Sequence, residues 1–135
     1  MKKFIIFWVA VCLAFFSSAA VFASAEEGSP RIYAADCTAT QGGYAYVDIK
    51  AENLSDVGSM EVYVSYDTSV FAYNSSSENG LNAGNFCEVA DDSEEGVITL
   101  QALSLSGMNG SGNLWRITFS VAKDAPAGQY TLRVA

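Results

Sequence analysis

The sequence predicts an all-β protein built as an antiparallel two-sheet sandwich, and three observations point there. Apolar and polar residues alternate with period two through several runs, as in "MEVYVSYD", where Met60, Val62, Val64 and Tyr66 alternate with Glu61, Tyr63 and Ser65. Clusters of Gly, Asn, Asp and Ser punctuate those runs about every eight to twelve residues, the spacing of a sandwich of short strands. From residue 26 onward no apolar i, i+3, i+4, i+7 pattern persists over the length of a helix.

The first segment stands apart from this pattern and reads as an export signal, residues 1–25. Lys2 and Lys3 form a basic head, Phe4 to Phe16 is an unbroken apolar run, and Ala23-Ser24-Ala25 supplies small residues for a cleavage site. The apolar run is shorter than the about 20 residues needed to cross a bilayer. Cys12 follows Val11 rather than a small residue, which argues against a lipid-attachment box. Cleavage after Ala25 and secretion are expected, with a short lead at 26–30 and one domain from 31 to 135.

The elements follow in order. "SPRIYAADCT" reads as a first strand, and Gln41-Gly42-Gly43 turns the chain into "YAYVDIKAENL". There Ala45, Val47, Ile49 and Ala51 point one way while Tyr44, Tyr46, Asp48, Lys50 and Glu52 point the other. Ser55 to Gly58 reads as a turn into the strand at 59–66, Asp67-Thr68-Ser69 interrupts, and "VFAYN" resumes the extended run. A polar, glycine-bearing loop at 75–85 precedes a short strand "FCEVA", an acidic turn "DDSEEG" and a strand "VITLQALSL". "SGMNGSGN" reads as a second glycine-rich connection. It leads into "LWRITFSV", which places Trp115, Ile117, Phe119 and Val121 on one side, and "KDAPAGQ" turns into a last strand "YTLRV".

Charge and composition exclude several functions. The chain has 7 basic and 15 acidic residues, and removing Lys2 and Lys3 leaves five basic ones and a formal charge of −10. Nucleic acid is repelled by such a surface, and an anionic membrane equally so once the signal is cleaved. There is no histidine, which removes the commonest general base. The glycines at 107, 110 and 112 are not followed by a helical pattern and so do not form a phosphate loop. Asp91, Asp92, Glu94 and Glu95 crowd a hairpin tip, where no pocket encloses them, so neither a catalytic carboxylate pair nor a calcium site is expected there. An enzyme is not expected, and no cofactor. Cys37 and Cys87 are the two cysteines beyond the signal. They either form a disulfide, as an exported protein permits, or remain two small buried thiols, and both readings stand at this point.

Three stretches together resemble the cohesin domain, the dockerin-binding receptor module of bacterial cellulosome scaffolds, within the wider superfamily of sandwiches that includes carbohydrate-binding modules. They are "GSMEVYVSYDTSVFAY" at 58–73, "GSGNLWRITFSV" at 110–121 and "AKDAPAGQYTL" at 122–132. The resemblance implies a nine-stranded, jelly-roll-like sandwich, with the last strand expected beyond Ala135. It also implies a partner, a dockerin-bearing protein gripped by a flat sheet whose strands fall at about 58–66, 86–90 and 97–105. Calcium belongs to the dockerin in that picture and not to this chain.

Period two then nominates the contact residues. With Met60, Val62 and Val64 inward, Ser59, Glu61, Tyr63 and Ser65 face outward, and the same logic turns Thr99, Gln101, Leu103 and Leu105 outward on the strand at 97–105, unless the nearby 106–113 loop covers the two leucines. Two alternatives remain. A carbohydrate-binding module would hold polysaccharide on Tyr44 and Tyr46, unless these form a partly buried cross-strand pair. A structural or adhesin-type spacer would use neither surface.

Overall fold

The computed structural model describes residues 6–11 and 28–135, with side chains from Gly28 onward. Its strands are β1 (Ile6–Val11), β2 (Arg31–Ala34), β3 (Cys37–Thr40), β4 (Tyr44–Ser65), β5 (Phe71–Glu78), β6 (Phe86–Asp92), β7 (Val97–Val121) and β8 (Gln129–Val134). A single turn of 3-10 helix at Gly80–Asn82 is the one helical element among the described residues.

Two long strands organise everything else. β4 and β7 run antiparallel along their whole length, Tyr44 opposite Ser120 at one end and Ser65 opposite Val97 at the other. The segments that read as turns, 55–58 and 106–113, lie in a stretch where the two strands stay paired, Leu54 with Gly110 and Val57 with Met108. They bend the ribbon instead of reversing it. Three of the ladder's four register shifts fall here, between Ala51 and Ser59, and Asn53 and Asp56 take left-handed backbone at φ 57° and 49°. Ser111 Oγ accepts from the Asn53 N–H at 2.9 Å and Asn109 Oδ1 from the Asp56 N–H at 2.8 Å, so the amides freed by the bulges find partners. Gly107, at φ +83°, is required here, because a Cβ would stand 2.2 Å from Asp56 Oδ1.

The bent ribbon contributes to both layers. One sheet has β2, the first half of β4, the second half of β7 and β5. The other runs β3, β1, β8, the second half of β4, the first half of β7 and β6. Among the described residues all pairings are antiparallel except β1 with β8. The predicted first strand at 29–38 is divided: β2 pairs with β4, whereas β3 joins β1 in the other sheet.

Between the layers lies the core that the alternation announces. Val47, Ile49, Trp115, Ile117 and Phe119 come from one sheet, and Val62, Val64, Ile98, Leu100 and Leu132 from the other, all buried. Rings tie the layers together: Phe119 sits 5.1 Å from Tyr66 and 5.6 Å from Phe71, and Phe71 meets the edge of Tyr130 on β8 at 5.7 Å.

Residues 6–11, read from the sequence as the apolar stretch of an export signal, are extended and lie in the second sheet. Isoleucine, valine, phenylalanine and tryptophan favour strands, and two strand edges accept them, Val9 opposite Cys37 on β3 and Tyr130 on β8. The cleavage site at Ala25 lies outside the described residues.

Cys37 and Cys87 are free thiols, so the bridge between them is not formed. They stand in β3 and β6, the first and last strands of one sheet, with β1, β8, β4 and β7 between them. At the usual strand spacing that is roughly 20 Å or more, far beyond disulfide reach. Burial foremost, with Asp36 and Asp48 nearby, pushes the Cys37 thiol up to about 11, and burial also raises Cys87, so both stay protonated near neutrality.

Candidate functional site

The outward face of the second sheet assembles the predicted contact residues. Because β6 and β4 flank β7 in matched register, their outward side chains line up in rows across three strands. Ser59 lies opposite Leu103, which lies opposite Phe86. Glu61, Gln101 and Glu88 form the next row, and Tyr63, Thr99 and Ala90 the third. Ser65 pairs with Val97 beyond them.

The middle row is held together by side-chain hydrogen bonds. Glu61 accepts from the Tyr63 hydroxyl on one carboxylate oxygen and from the Gln101 amide on the other. Those two bonds, the tyrosine's first, hold the Glu61 carboxyl below its ordinary range, and the same bond raises the Tyr63 phenol. The result is an ionised carboxylate fixed at the centre of an exposed sheet, with lone pairs left to accept from a docking molecule.

One end of the face is apolar. Phe86 is 66% exposed, Leu103 46% and Leu105 85%, and Tyr63 at 42% continues the aromatic surface past Glu61. A shallow depression of about 710 Å³ runs between Ser59, Glu61, Phe86, Glu88 and Gln101. An apolar end beside a preorganised carboxylate is the composition of a protein-binding patch, with an apolar centre for affinity and polar groups for register.

The residues nominated on this face by the alternation, Ser59, Glu61, Tyr63, Ser65, Thr99, Gln101 and Leu103, with Leu105 beyond them, come together on one side of the sheet; Thr99 and Ser65 are half-buried and the others exposed. Phe86 and Glu88 were missed. "FCEVA" carries the signal, since placing Cys87 and Val89 inward turns Phe86, Glu88 and Ala90 outward, but a phenylalanine opening a strand reads as core. The 106–113 segment does not cover the leucines, because it is engaged against 53–58 in the bend.

Tyr44 and Tyr46 lie on the opposite sheet, and so on the other side of the molecule from Glu61. They are not a partly buried cross-strand pair: both sit on β4, 53% and 54% exposed, with ring centroids 6.4 Å apart. The acidic turn is exposed, and Asp92 Oδ1 accepts from the backbone N–H groups of Glu94 and Glu95, the local turn geometry expected of aspartate. Among the described residues no group of three or more acidic or cysteine side chains is placed to hold a metal ion.

The chain is similar in structure to several solved cohesins. A non-cellulosomal cohesin from the hyperthermophilic archaeon Archaeoglobus fulgidus aligns at a TM-score of 0.57 and 19% identity, covering 70% of this chain and 81% of that one. The cohesin in a type I cohesin–dockerin complex from Clostridium thermocellum aligns at 0.59 and 12% identity, covering 69% and 89%. The sixth cohesin of scaffoldin B from Acetivibrio cellulolyticus, solved with the Cel5 dockerin, aligns at 0.59 and 14% identity, covering 93% and 75%. At these identities the likeness establishes the fold. No curated protein sequence matches the chain. Residues 34–135 match the family described as Cohesin domain, and on that match, which spans most of its length, the chain belongs to the cohesin domain family.

Proposed function

We propose that this chain is an exported, non-catalytic cohesin module that captures a dockerin-bearing protein through the face built by β4, β7 and β6. The observation that carries the reading is the Glu61 carboxylate, held by Tyr63 and Gln101 beside the exposed Phe86 and Leu103. In solved relatives the cohesin of the Clostridium thermocellum complex is bound to a dockerin, as is that of scaffoldin B. Here the captured protein would be an enzyme acting on polysaccharide, brought to a scaffold or a cell surface. The calcium would be carried by the dockerin, and this chain would need no cofactor. Export follows from the leader at 1–25, with cleavage after Ala25 releasing residues 26–135, which amino-terminal sequencing of secreted material tests directly.

The docking test is a pull-down with the full chain against dockerins of the known classes, with calcium and with a chelator. Calcium-dependent capture supports the reading, and no capture by any class sinks it. Glu61→Arg should abolish that capture with the melting temperature unchanged, because it reverses the charge at the centre of the face while touching no buried group. Normal binding by that variant would place the docking surface elsewhere. Nothing in the structure favours a bare spacer, which would have no use for a fixed, solvent-facing carboxylate between exposed aromatic rings.

A further inference from the structure

The sheet opposite the docking face carries a second surface that dockerin capture leaves unused. The first half of β4 turns Tyr44 and Tyr46 outward, more than half exposed, with their rings tilted 39° to each other. Ser120 and Thr118 face them across β7, and Ala72 and Ser75 follow on β5. Beyond Tyr46 the Arg116 guanidinium donates to both Asp48 oxygens, at 2.8 and 3.0 Å, closing that charge pair. Two aromatic rings thus stand on a sheet whose neighbouring outward groups are hydroxyls, a small alanine and a mutually satisfied ion pair, with Lys50, Tyr33 and the Arg31–Glu52 pair farther along β4 and β2.

The chemistry of a matching ligand follows from that inventory. It must offer a C–H face to each ring and hydroxyls to the rim, and beside the rings it gains little from charge, because the adjacent Asp48 and Arg116 already neutralise each other. A polyanion is disfavoured by the acidic chain. A protein partner needs a contiguous apolar centre, and two rings bordered by serine and threonine do not provide one. A sugar ring has the required amphipathic shape. The ring spacing of 6.4 Å suits successive residues of an extended glycan, and the 39° tilt suits a single twisted chain rather than a flat crystal face, which needs coplanar rings. We propose that Tyr44 and Tyr46 form a stacking platform for two successive residues of a single, soluble, neutral glycan chain, making the module two-sided. This inference stands on its own sheet and does not depend on dockerin capture.

The test is native electrophoresis of the full chain through gels containing soluble xylan, hydroxyethylcellulose or mixed-linkage β-glucan, against gels with none. Retardation in at least one polymer is expected, with the affinity reduced about tenfold or more in Tyr44→Ala/Tyr46→Ala and largely kept in Tyr44→Phe/Tyr46→Phe, which retains the rings. Titrating the wild-type chain with the oligosaccharide of the retarding polymer should shift the Tyr44 and Tyr46 ring resonances saturably, a readout independent of how the variants fold. No retardation in any of the three polymers overturns the proposal. So does a double alanine variant that is retarded like the wild type, or a titration that leaves both rings unmoved.

Discussion

Removing the apolar end of the docking face should weaken capture far more than it weakens the fold. Phe86 is 66% exposed in the free chain, and a phenylalanine ring has about 200 Å² to bury, so roughly 130 Å² remains available to a partner. At ~25 cal/mol per Å² that surface is worth about 3 kcal/mol if covered completely. Incomplete coverage and the ordering of the side chain reduce this to about 1.5 kcal/mol, or about tenfold in affinity. Leu103, 46% exposed and directly opposite Phe86, should add a further few-fold. The part of Phe86 already covered is about 70 Å², so truncation should cost the fold at most about 2 kcal/mol. Phe86→Ala/Leu103→Ala, titrated calorimetrically with a calcium-loaded dockerin that the wild type captures, should therefore raise the dissociation constant about thirtyfold. Tyr44→Ala, on the opposite sheet, serves as the control and should leave it unchanged. If the double variant binds like the wild type while the control does not, the docking face is the wrong one.

Two further consequences are measurable. Tyr66 is buried and its hydroxyl donates to Asp91 at 2.9 Å; burial first and then that bond push its phenol up to about 12, against 10.0 when unperturbed. A folded-state value above the unfolded one means the contribution is intact below about pH 10 and is lost as the pH rises through about 12. Denaturant melts between pH 9 and 12 should show a shallower loss for Tyr66→Phe than for the wild type, and identical slopes would refute the assignment. The second concerns the leader. Since β1 pairs with both β3 and β8, a chain beginning at Glu26 should exchange the amide protons of 37–40 and 129–132 faster than the full chain, as hydrogen exchange can read. Equal protection would mean that those edges do not depend on β1.

Much of the proposed docking face was legible before any coordinates, for a simple reason. A strand's side chains alternate strictly, so once Met60, Val62 and Val64 are assigned inward, Ser59, Glu61 and Tyr63 have nowhere to go but out. The same logic placed Gln101 and Leu103. Phe86 escaped because periodicity needs a fixed starting side, and a five-residue strand with an aromatic at its head supplies a poor one. The bend was misread for a related reason. Glycine, asparagine and aspartate permit left-handed backbone, and that permission serves a reversal and a bulge equally well. Only the partner across the ladder distinguishes the two, and for 53–58 that partner is 106–113, some fifty residues on.

By itself, then, the sequence determined the fold class, the inner and outer sides of each long strand, the lack of histidine chemistry and the family resemblance. These depend on local spacing and composition, which a linear chain states directly. The tertiary structure decided which strands are neighbours. It joined Glu61 to Gln101 and Leu103 to Phe86, sent Tyr44 and Tyr46 to the far side of the molecule, and set Cys37 and Cys87 at opposite edges of one sheet. Those outcomes rest on pairings between residues far apart in the chain. Their energy comes from burying two sheets against each other, and that is a property of the whole ribbon rather than of any stretch within it.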